Sequence, residues 1–272
     1  MQKCHGYCSY FRHWPKPMRF CFNSSMKNPI YQKTYQVSIN NVNINKRLGL
    51  FGMLGYLQDI ATVHGEEAGF GIEDMIKDQS FWVLVRQKLR MERFPHWNEV
   101  IEIKTWSRAP EGMYAFREFE IFLNGEKIGD CSTVWMILDG VTRKVKKPDF
   151  PMERINPRTD YHLDYIAHKV EVRDNFEKVN TITVRNSDLD LNMHVNNTKY
   201  SQWILDSIPI ELHKTAKLNE FEINFMAETH LGDEIDIYRA RNDEGELNHD
   251  IVYKGVRLSD GKTCFLANLL AD

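Results

Sequence analysis

One short stretch of the sequence concentrates side chains suited to acid–base chemistry. Between Asn186 and Asn197, polar residues fall on almost every second position and include an acid, an amide and an imidazole at Asp190, Asn192 and His194. Side chains two residues apart on an extended segment point to the same side, so these three groups are expected to face one place. A carboxylate and an imidazole held together can transfer protons. Each of these residue types is also common in turns and helix caps, so a structural role is the alternative for each.

A strand before this stretch and a helix after it would hold it in place. Thr181–Val184 predicts the strand, and the apolar spacing from Asn196 to Asp206 predicts the helix. The first N–H groups of such a helix have no intrahelical acceptor and point back at the polar stretch, which favours a negatively charged oxygen there. A cationic imidazole is disfavoured at the same place, so we expect His194 to be neutral at neutral pH.

The same order of strand, helix and antiparallel strands occurs twice in the chain. The helical Tyr56–Asp59 matches Trp203–Asp206, and Asn98–Ile103 matches Gly232–Ile237 after a shorter connection. A repeated order of this kind predicts a duplicated domain.

The duplication provides an internal control for the polar stretch. The first half carries Asn43, Asn45 and Arg47 opposite the acid, the amide and the imidazole. Residues needed only for a turn would be kept in both halves. The acid and the imidazole occur only in the second half, which favours a chemical role for them.

The first half predicts one helix and four strands. They are Leu48–His64, Phe81–Arg86, Glu99–Trp106, Phe116–Leu123 and Lys127–Leu138. Asn124 and Gly125 supply the positive-φ turn of a hairpin between the last two strands. A helix followed by a long antiparallel meander predicts an α+β fold.

Composition narrows the function classes. The chain is 42% hydrophobic and 27% charged with a formal net charge of -3, which excludes a globally basic nucleic-acid binder. No apolar stretch reaches the length that crosses a bilayer, so no membrane partner is expected. Five cysteines, an odd number, indicate a reducing, cytoplasmic location rather than a disulfide framework. Cys4, Cys8 and Cys21 lie near histidines but lack Cys-x-x-Cys spacing, so neither a metal nor another cofactor is expected.

Two groups of residues resemble the acyl-acyl-carrier-protein thioesterase family. They are the run Asp188-Leu189-Asp190-x-Asn192-x-His194-Val195-Asn196-Asn197-x-x-Tyr200, and Phe81-Trp82-Val83 with Phe94-Pro95-x-Trp97-x-Glu99. The resemblance covers Ile30 to Asp272 and implies a tandem hotdog fold, in which an antiparallel sheet wraps a long helix in each half. It also implies hydrolysis of the thioester between a fatty acyl chain and the phosphopantetheine of acyl carrier protein, which releases the free fatty acid.

The resemblance implies catalytic roles for Asp190, Asn192 and His194 and for a later carboxylate, Glu228. Thr229 stands where some family members carry a cysteine, so a cysteine-dependent mechanism is not expected. The sequence leaves open whether Asp190 or Glu228 activates water, or whether Asp190 attacks directly through an anhydride. His194 would assist the carboxylate or the water and the leaving thiolate.

The composition of the segments, together with the resemblance, predicts a division of the chain into four parts. Residues 1–28 are expected to be a disordered or artefactual extension, with Met26 as a possible start. Residues 29–155 would form the N-terminal hotdog with the acyl-chain pocket, 156–178 a linker and 179–272 the catalytic hotdog. The candidates for the pocket lining are Met53, Tyr56, Leu57 and Trp82. An acidic carrier protein is expected to dock on the basic residues Arg143, Lys144, Lys146 and Lys147.

Other functions share some of these features. An acyl-coenzyme A thioesterase would use the same chemistry on a different thiol. A catalytically inactive acyl-binding protein is opposed by the intact polar motif of the second half. Hotdog dehydratases place their acid and histidine on opposing segments, whereas both lie on one segment here. A homodimer is expected only by analogy with other hotdog proteins.

Overall fold

The structure, a computed structural model, describes residues 28–149, 155–241 and 249–272. The extension predicted at residues 1–28 lies outside the described residues except for its last residue. None of the helices within these three ranges is long and apolar enough to span a bilayer.

Each half of the chain combines one long helix with antiparallel strands. The first half contains β1 (Tyr31–Gln36), α1 (Leu50–Ala68), α2 (Ile72–Lys77), β2 (Ser80–Met91), β3 (Val100–Glu111), β4 (Tyr114–Leu123), β5 (Glu126–Asp139) and β6 (Val145–Lys146). The second half contains β7 (Glu177–Thr183), α3 (Asn197–Leu205), α4 (Ile210–Thr215), β8 (Leu218–Phe225), β9 (Glu234–Arg241), β10 (His249–Arg257) and β11 (Thr263–Ala271). The α+β prediction is confirmed.

The predicted long helix is present as α1, but it begins and ends later than the sequence indicated. It ends at Gly69, which adopts φ of 75° and donates its N–H to the carbonyls of Glu66 and Gly65. A glycine in this left-handed conformation is a common helix terminator because it has no Cβ. The short helices α2 and α4 were not predicted, since six residues are too few to show a helical period.

The strands of the two halves join in one continuous sheet. Their order is β1-β3-β4-β5-β2-β8-β11-β10-β9-β7, with β6 paired to β5. Apart from β6, each strand of the first half has a counterpart at the equivalent position in the other half of the sheet, so that β1 corresponds to β7 and β2 to β8. The central strands β2 and β8 pair antiparallel from Arg86 opposite Asn224 to Arg90 opposite Glu220. The duplicated halves are therefore related by a pseudo-two-fold axis between β2 and β8.

The backbone hydrogen bonds repeat with the same symmetry. Val37 donates its N–H to the Glu99 carbonyl and Val184 donates to the Asp233 carbonyl, both at 2.9 Å. The loop that follows β2 is tied to the start of α1, and the loop that follows β8 is tied to the start of α3 in the same way. The duplication inferred from sequence is thus present down to individual peptide groups.

The helices lie on one face of the sheet and the predicted linker lies on the other. Residues of α1, α3 and both half-sheets form one hydrophobic core, which includes Met53, Leu57, Trp203 and Ile204. On the opposite face, residues 156–176 form no helix or strand, and the backbone N–H groups of Ala167 and Val170 donate to strand side chains of the first and the second half. Ala167 is fully buried. This segment consequently covers the outer surface near the junction of β2 and β8.

Candidate active site

The polar stretch forms a tight turn immediately before α3. Asp190 Oδ1 accepts the backbone N–H groups of Asn192 at 2.8 Å and His194 at 3.3 Å. The Asp190 N–H donates to the His194 carbonyl at 2.8 Å, and Met193 adopts φ of 60°. These bonds fix the direction of the backbone that enters α3.

The equivalent turn of the first half shows what the fold itself requires. Asn43 Oδ1 accepts the N–H groups of Asn45 at 2.9 Å and Arg47 at 3.2 Å, and Lys46 adopts φ of 60°. An amide oxygen therefore supports the same turn as the carboxylate of Asp190. The negative charge at Asp190 is not needed for the backbone conformation.

A second carboxylate lies beside His194. Glu228 follows β8, and its Oε2 is 3.7 Å from His194 Nε2. The Glu228 carbonyl accepts a hydrogen bond from Arg257 at 2.7 Å, which fixes the loop. The structure thus brings together two groups that are far apart in sequence and that the family resemblance singled out.

Arg143 completes this group, although sequence reasoning placed it on a docking surface. Its Nη2 lies 2.5 Å from Glu228 Oε2 and 3.5 Å from His194 Nε2. The residue ends a turn in which Asp139 Oδ1 accepts two backbone N–H groups, and Arg143 itself adopts φ of 59°. Nothing in the run of basic residues from Arg143 to Lys147 indicated that Arg143 would contact Glu228 and His194. Of the other basic residues, Lys146 bonds Ser80 Oγ at 2.8 Å, while Lys144 and Lys147 are exposed.

The environment of His194 favours its neutral form. Burial lowers the pKa of His194 and is the largest effect, Glu228 and Asp190 act to raise it, and His230 and Arg143 act to lower it further. The His230 ring packs edge-on against the His194 ring with centroids 5.1 Å apart. The sequence predicted this direction from the helix start, whereas burial is the main cause.

Thr229 is enclosed and makes a structural hydrogen bond. Its hydroxyl lies 2.7 Å from the Tyr200 hydroxyl, and the residue is fully buried. Burial raises the pKa of Tyr200, which keeps that phenol protonated. This position therefore offers no accessible nucleophile, in agreement with the expectation for threonine here.

A cavity of about 200 Å³ runs from this turn along α1. Asp190, Asn192 and Asn197 line its second-half side. Asn197 is the first residue of α3, and the Asn196 side chain caps the helix by accepting the Thr198 N–H at 2.9 Å. We call this space the acyl chamber, after the acyl-chain pocket that the family resemblance predicts in the first half.

The first-half wall of the acyl chamber differs in part from the predicted lining. Trp82 lines it, but Met53 and Tyr56 do not: Met53 is fully buried in the core, and the Tyr56 hydroxyl donates to the Gln36 carbonyl at 3.2 Å. Leu57 borders a small adjoining cavity of about 20 Å³. The prediction followed the apolar face of the helix, which faces the core, whereas the chamber side is formed by smaller and more polar residues: Gln58, Ala61, Thr62 and Gly65.

A buried cation also lies in the wall of the acyl chamber. Arg117 Nη1 donates to His64 Nδ1 at 2.7 Å and to Thr105 Oγ1 at 3.2 Å. Burial lowers the pKa of Arg117 to about 10, so it stays charged at neutral pH. Burial, followed by the charge of Arg117, lowers the pKa of His64 far below its usual range, so His64 is a neutral acceptor.

Three side chains near the turn have the donor types of a metal site. The ligand atoms of His194, Glu228 and His230 lie within 4.8 Å of one another. Arg143 already supplies a positive charge to Glu228 at this place. The absence of a metal cofactor remains a prediction from sequence.

Comparison with known proteins identifies the family. The chain matches the model of the acyl-ACP thioesterase N-terminal domain over residues 28–150 and that of the C-terminal domain over residues 171–267. The chain belongs to the acyl-ACP thioesterase family. A solved structure described as an acyl-ACP thioesterase from Bacteroides thetaiotaomicron superposes with a TM-score of 0.80 at 25% identity, covering 90% of this chain and 98% of that one. The predicted tandem hotdog fold is confirmed.

Plant members of the family are related over most of this chain. An oleoyl-acyl carrier protein thioesterase of Coriandrum sativum is 27% identical, covering 76% of this chain and 61% of that protein. A dodecanoyl-[acyl-carrier-protein] hydrolase of Cinnamomum camphora is 26% identical, covering 73% and 56%. Both are named as chloroplastic. The chain therefore spans less than two thirds of the length of these relatives. The 12:0-ACP thioesterase structure from Umbellularia californica shares the fold, with a TM-score of 0.75 at 20% identity.

Proposed function

We propose that the protein hydrolyses the thioester of fatty acyl-acyl carrier protein and releases a free fatty acid and the carrier. The observation that carries this proposal is the position of Asp190 and Asn192 in the wall of the acyl chamber, with His194 and Glu228 grouped beside them. Membership of the acyl-ACP thioesterase family supports the same substrate. The plant relatives are named for substrates bound to acyl carrier protein, so this carrier is the partner to test.

Asp190 is the group best placed to activate the nucleophile. Its Oδ1 is held by two backbone N–H groups, and its second oxygen takes part in neither bond. Glu228, by contrast, is tied to Arg143 by an ion pair. In the proposed reaction a water molecule gives a proton to Asp190 while its oxygen attacks the thioester carbonyl carbon. The intermediate collapses as the C–S bond breaks, and the proton passes to the leaving thiolate.

The start of α3 supports stabilisation of the intermediate. Asn197 lies at the acyl chamber, and its N–H, at the first position of the helix, has no intrahelical acceptor, whereas the N–H groups of Thr198 and Lys199 bond to Asn196. Donors fixed in advance toward a developing oxyanion contribute a large part of the rate in acyl transfer. We propose that the carbonyl oxygen of the thioester, which becomes the oxyanion, lies against this helix start. Asn192 would then lie near the thioester and help to position it.

Release of free fatty acid from acyl-carrier substrates of several chain lengths tests the function. Turnover of acyl-acyl carrier protein is expected to exceed that of acyl-coenzyme A at equal concentration. Faster turnover of the coenzyme A substrate would favour an acyl-coenzyme A thioesterase. Binding of the carrier substrate without release of acid would instead identify an acyl-binding protein.

The remaining expectations are part of the same proposal. The exposed Lys144 and Lys147, together with Lys146, lie in and next to β6, directly after the turn that ends at Arg143. We propose that the acidic carrier docks there. We also propose the two-domain division at residues 29–155 and 179–272, a cytoplasmic location and a homodimer, each of which rests on sequence reasoning alone.

A further inference from the structure

The first half contains a second cavity at the pseudo-symmetric counterpart of the active site. Its volume is about 690 Å³, within the range of about 300–1,000 Å³ typical of small-molecule sites. One side is formed by the Asn43–Arg47 turn, the start of α1 and the loop after β2. The other side is formed by α4 and the ends of the second-half strands β8, β10 and β11. We call this space the second cavity.

The reactive residues of the active site have changed type in the second cavity. Arg47 stands in the place of the catalytic imidazole, Asn43 in the place of the acid, and Phe94 in the place of Glu228. The turn is otherwise the same, since the Asn43 N–H donates to the Arg47 carbonyl at 2.8 Å as its counterpart does. A site with this geometry can bind a ligand, but it lacks the carboxylates and the imidazole that the turn and loop of the active site carry at these positions.

The charged side chains that line the second cavity are all positive. Among the described residues that line it there is no Asp or Glu, whereas four carry a positive charge: Arg47, Arg93, Lys214 and Lys217. Arg93 is paired with Glu99 at 3.6 Å. Arg47 donates to the Phe94 carbonyl at 3.1 Å and forms no ion pair with a described carboxylate. Its planar guanidinium suits two-point recognition of a carboxylate.

The start of α1 adds to this positive field. The helix has 19 residues, its N-cap Gly49 provides no side-chain acceptor, and its first turn contains no acid. Gly49 and Leu50 both line the second cavity. The unbonded N–H groups and the helix dipole therefore favour an anion at this end. The start of α3 in the active site differs, because the Asn196 side chain caps it.

Apart from the polar side chains of Asn45, His96, His213 and Thr215, the rest of the lining is mostly apolar. It is provided by α3, the segment after it and the strands behind them: Leu205, Ile208, Leu212, Leu218, Ile251 and Leu269. A cationic rim over an apolar interior matches one class of ligand, an alkyl chain that ends in a carboxylate. We propose that the second cavity binds a free long-chain fatty acid, with its carboxylate against Arg47 and its alkyl chain against α4 and β11.

This proposal rests on the proposed function in one respect: hydrolysis of the acyl carrier substrate would produce the fatty acid that we expect to bind here. Binding is measured without turnover, so the two proposals fail separately. Palmitate labelled with ¹³C at its carboxyl carbon is the probe, and titration of the full chain is followed by NMR. We expect a signal from the bound carboxylate in the parent protein. Arg47→Gln and Leu212→Trp should each abolish this signal or raise the dissociation constant for palmitate by about tenfold or more.

Matched variants separate this site from the acyl chamber. Ala61→Trp fills the acyl chamber and is expected to leave the Arg47-dependent signal unchanged. Arg47→Lys keeps the charge and is expected to retain part of the affinity. Melting temperatures of all variants report whether they fold, and Leu212→Trp tests the cavity without touching the hydrogen bond that Arg47 makes.

Two results would overturn the proposal. The first is palmitate affinity that is equal in the parent protein, Arg47→Gln and Leu212→Trp. The second is competition by hexadecanol as strong as that by unlabelled palmitate, because an uncharged alkyl alcohol would then bind as well as the carboxylate.

Discussion

Asp190 and Asn43 occupy equivalent turns and make the same pair of backbone hydrogen bonds. Because the amide supports the turn in the first half, Asp190→Asn should retain the fold. We expect its free energy of unfolding to stay within about 0.5 kcal/mol of the parent protein. Turnover of acyl-acyl carrier protein should fall by about 100-fold or more, since a general base contributes that much. Denaturant unfolding and fatty acid release measure the two effects. Near-parental turnover would remove Asp190 from the mechanism.

Glu228 and Arg143 act on His194 in opposite directions, which gives a test by pH. Glu228 raises the pKa of His194 and Arg143 lowers it. If neutral His194 is required, activity is lost as pH falls through its pKa. Glu228→Gln should therefore move the acid limb of the pH–rate profile to lower pH, and Arg143→Gln should move it to higher pH. The exposed Glu234 provides the control, because Glu234→Gln should leave the acid limb in place. Shifts of the same sign in both variants would contradict this arrangement.

The residue types of the active site were visible in the sequence, but the partners were not. Asp190, Asn192 and His194 belong to one turn, so their spacing along the chain predicted that they would face one place. The contact of Arg143 with Glu228 joins two loops of different halves. It depends on the pairing of β2 with β8, which no local pattern reveals.

Helix α1 combines a core face with a chamber face, and only the core face has a strong sequence signal. The apolar spacing that predicted the helix selected Leu57 and its neighbours, which are buried in the core. The chamber side carries small and polar residues that look like an ordinary exposed surface. Sequence reasoning could therefore locate the helix but not its ligand-lining side.

Ala61 lies on the chamber side of α1 and lines the acyl chamber. Ala61→Phe should reduce the volume of the acyl chamber, so turnover of long-chain substrates should fall more than turnover of short-chain substrates. The ratio of the two rates on one protein preparation is the measurement, and it cancels any loss of folded protein. An unchanged ratio would show that the acyl chain does not run along this face of the helix.

Two glycines in α1 are expected to differ in their effect on stability. A Cβ at Gly55 would have no heavy atom within 4 Å, whereas a Cβ at Gly52 would approach Leu48 Cδ1 at 2.9 Å and the Asn41 carbonyl oxygen at 3.1 Å. Gly55→Ala should stabilise the protein by about 1 kcal/mol because alanine favours the helix. Gly52→Ala should destabilise it through the clash. Thermal or denaturant unfolding measures both, and an equal response would mean that packing at Gly52 relaxes freely.

The duplicated halves carry different side chains at equivalent turns. One turn keeps the acid and the imidazole, and its counterpart keeps the backbone but carries a guanidinium. The sequence predicted the repeat, since both halves match along their length. The shared sheet was not predicted, because β2 and β8 look like any other strands. The shared sheet and the common core bring residues of the first half and the polar turn of the second half together around one cavity.

The position of the basic residues beside the active site leads to a test of carrier docking. Lys144 and Lys147 are exposed on either side of β6, the short strand that follows the Arg143 turn, so a carrier bound there would present its phosphopantetheine arm to the acyl chamber. Charge complementarity of this kind raises the association rate and is weakened by salt. The double variant Lys144→Glu/Lys147→Glu should raise the KM for acyl-acyl carrier protein by about tenfold. The KM for an acyl-pantetheine without the carrier should hardly change.

The control is Lys169→Glu, which reverses an exposed charge on the segment that covers the outer face of the sheet, away from the active site. It should leave both KM values near those of the parent protein. Increasing ionic strength should also reduce the difference between the parent protein and the double variant, because at 0.1 M salt largely screens exposed charges that are more than about 10 Å apart. If the double variant changes the KM of both substrates equally, Lys144 and Lys147 act on the active site itself. The carrier would then have to dock elsewhere on the chain.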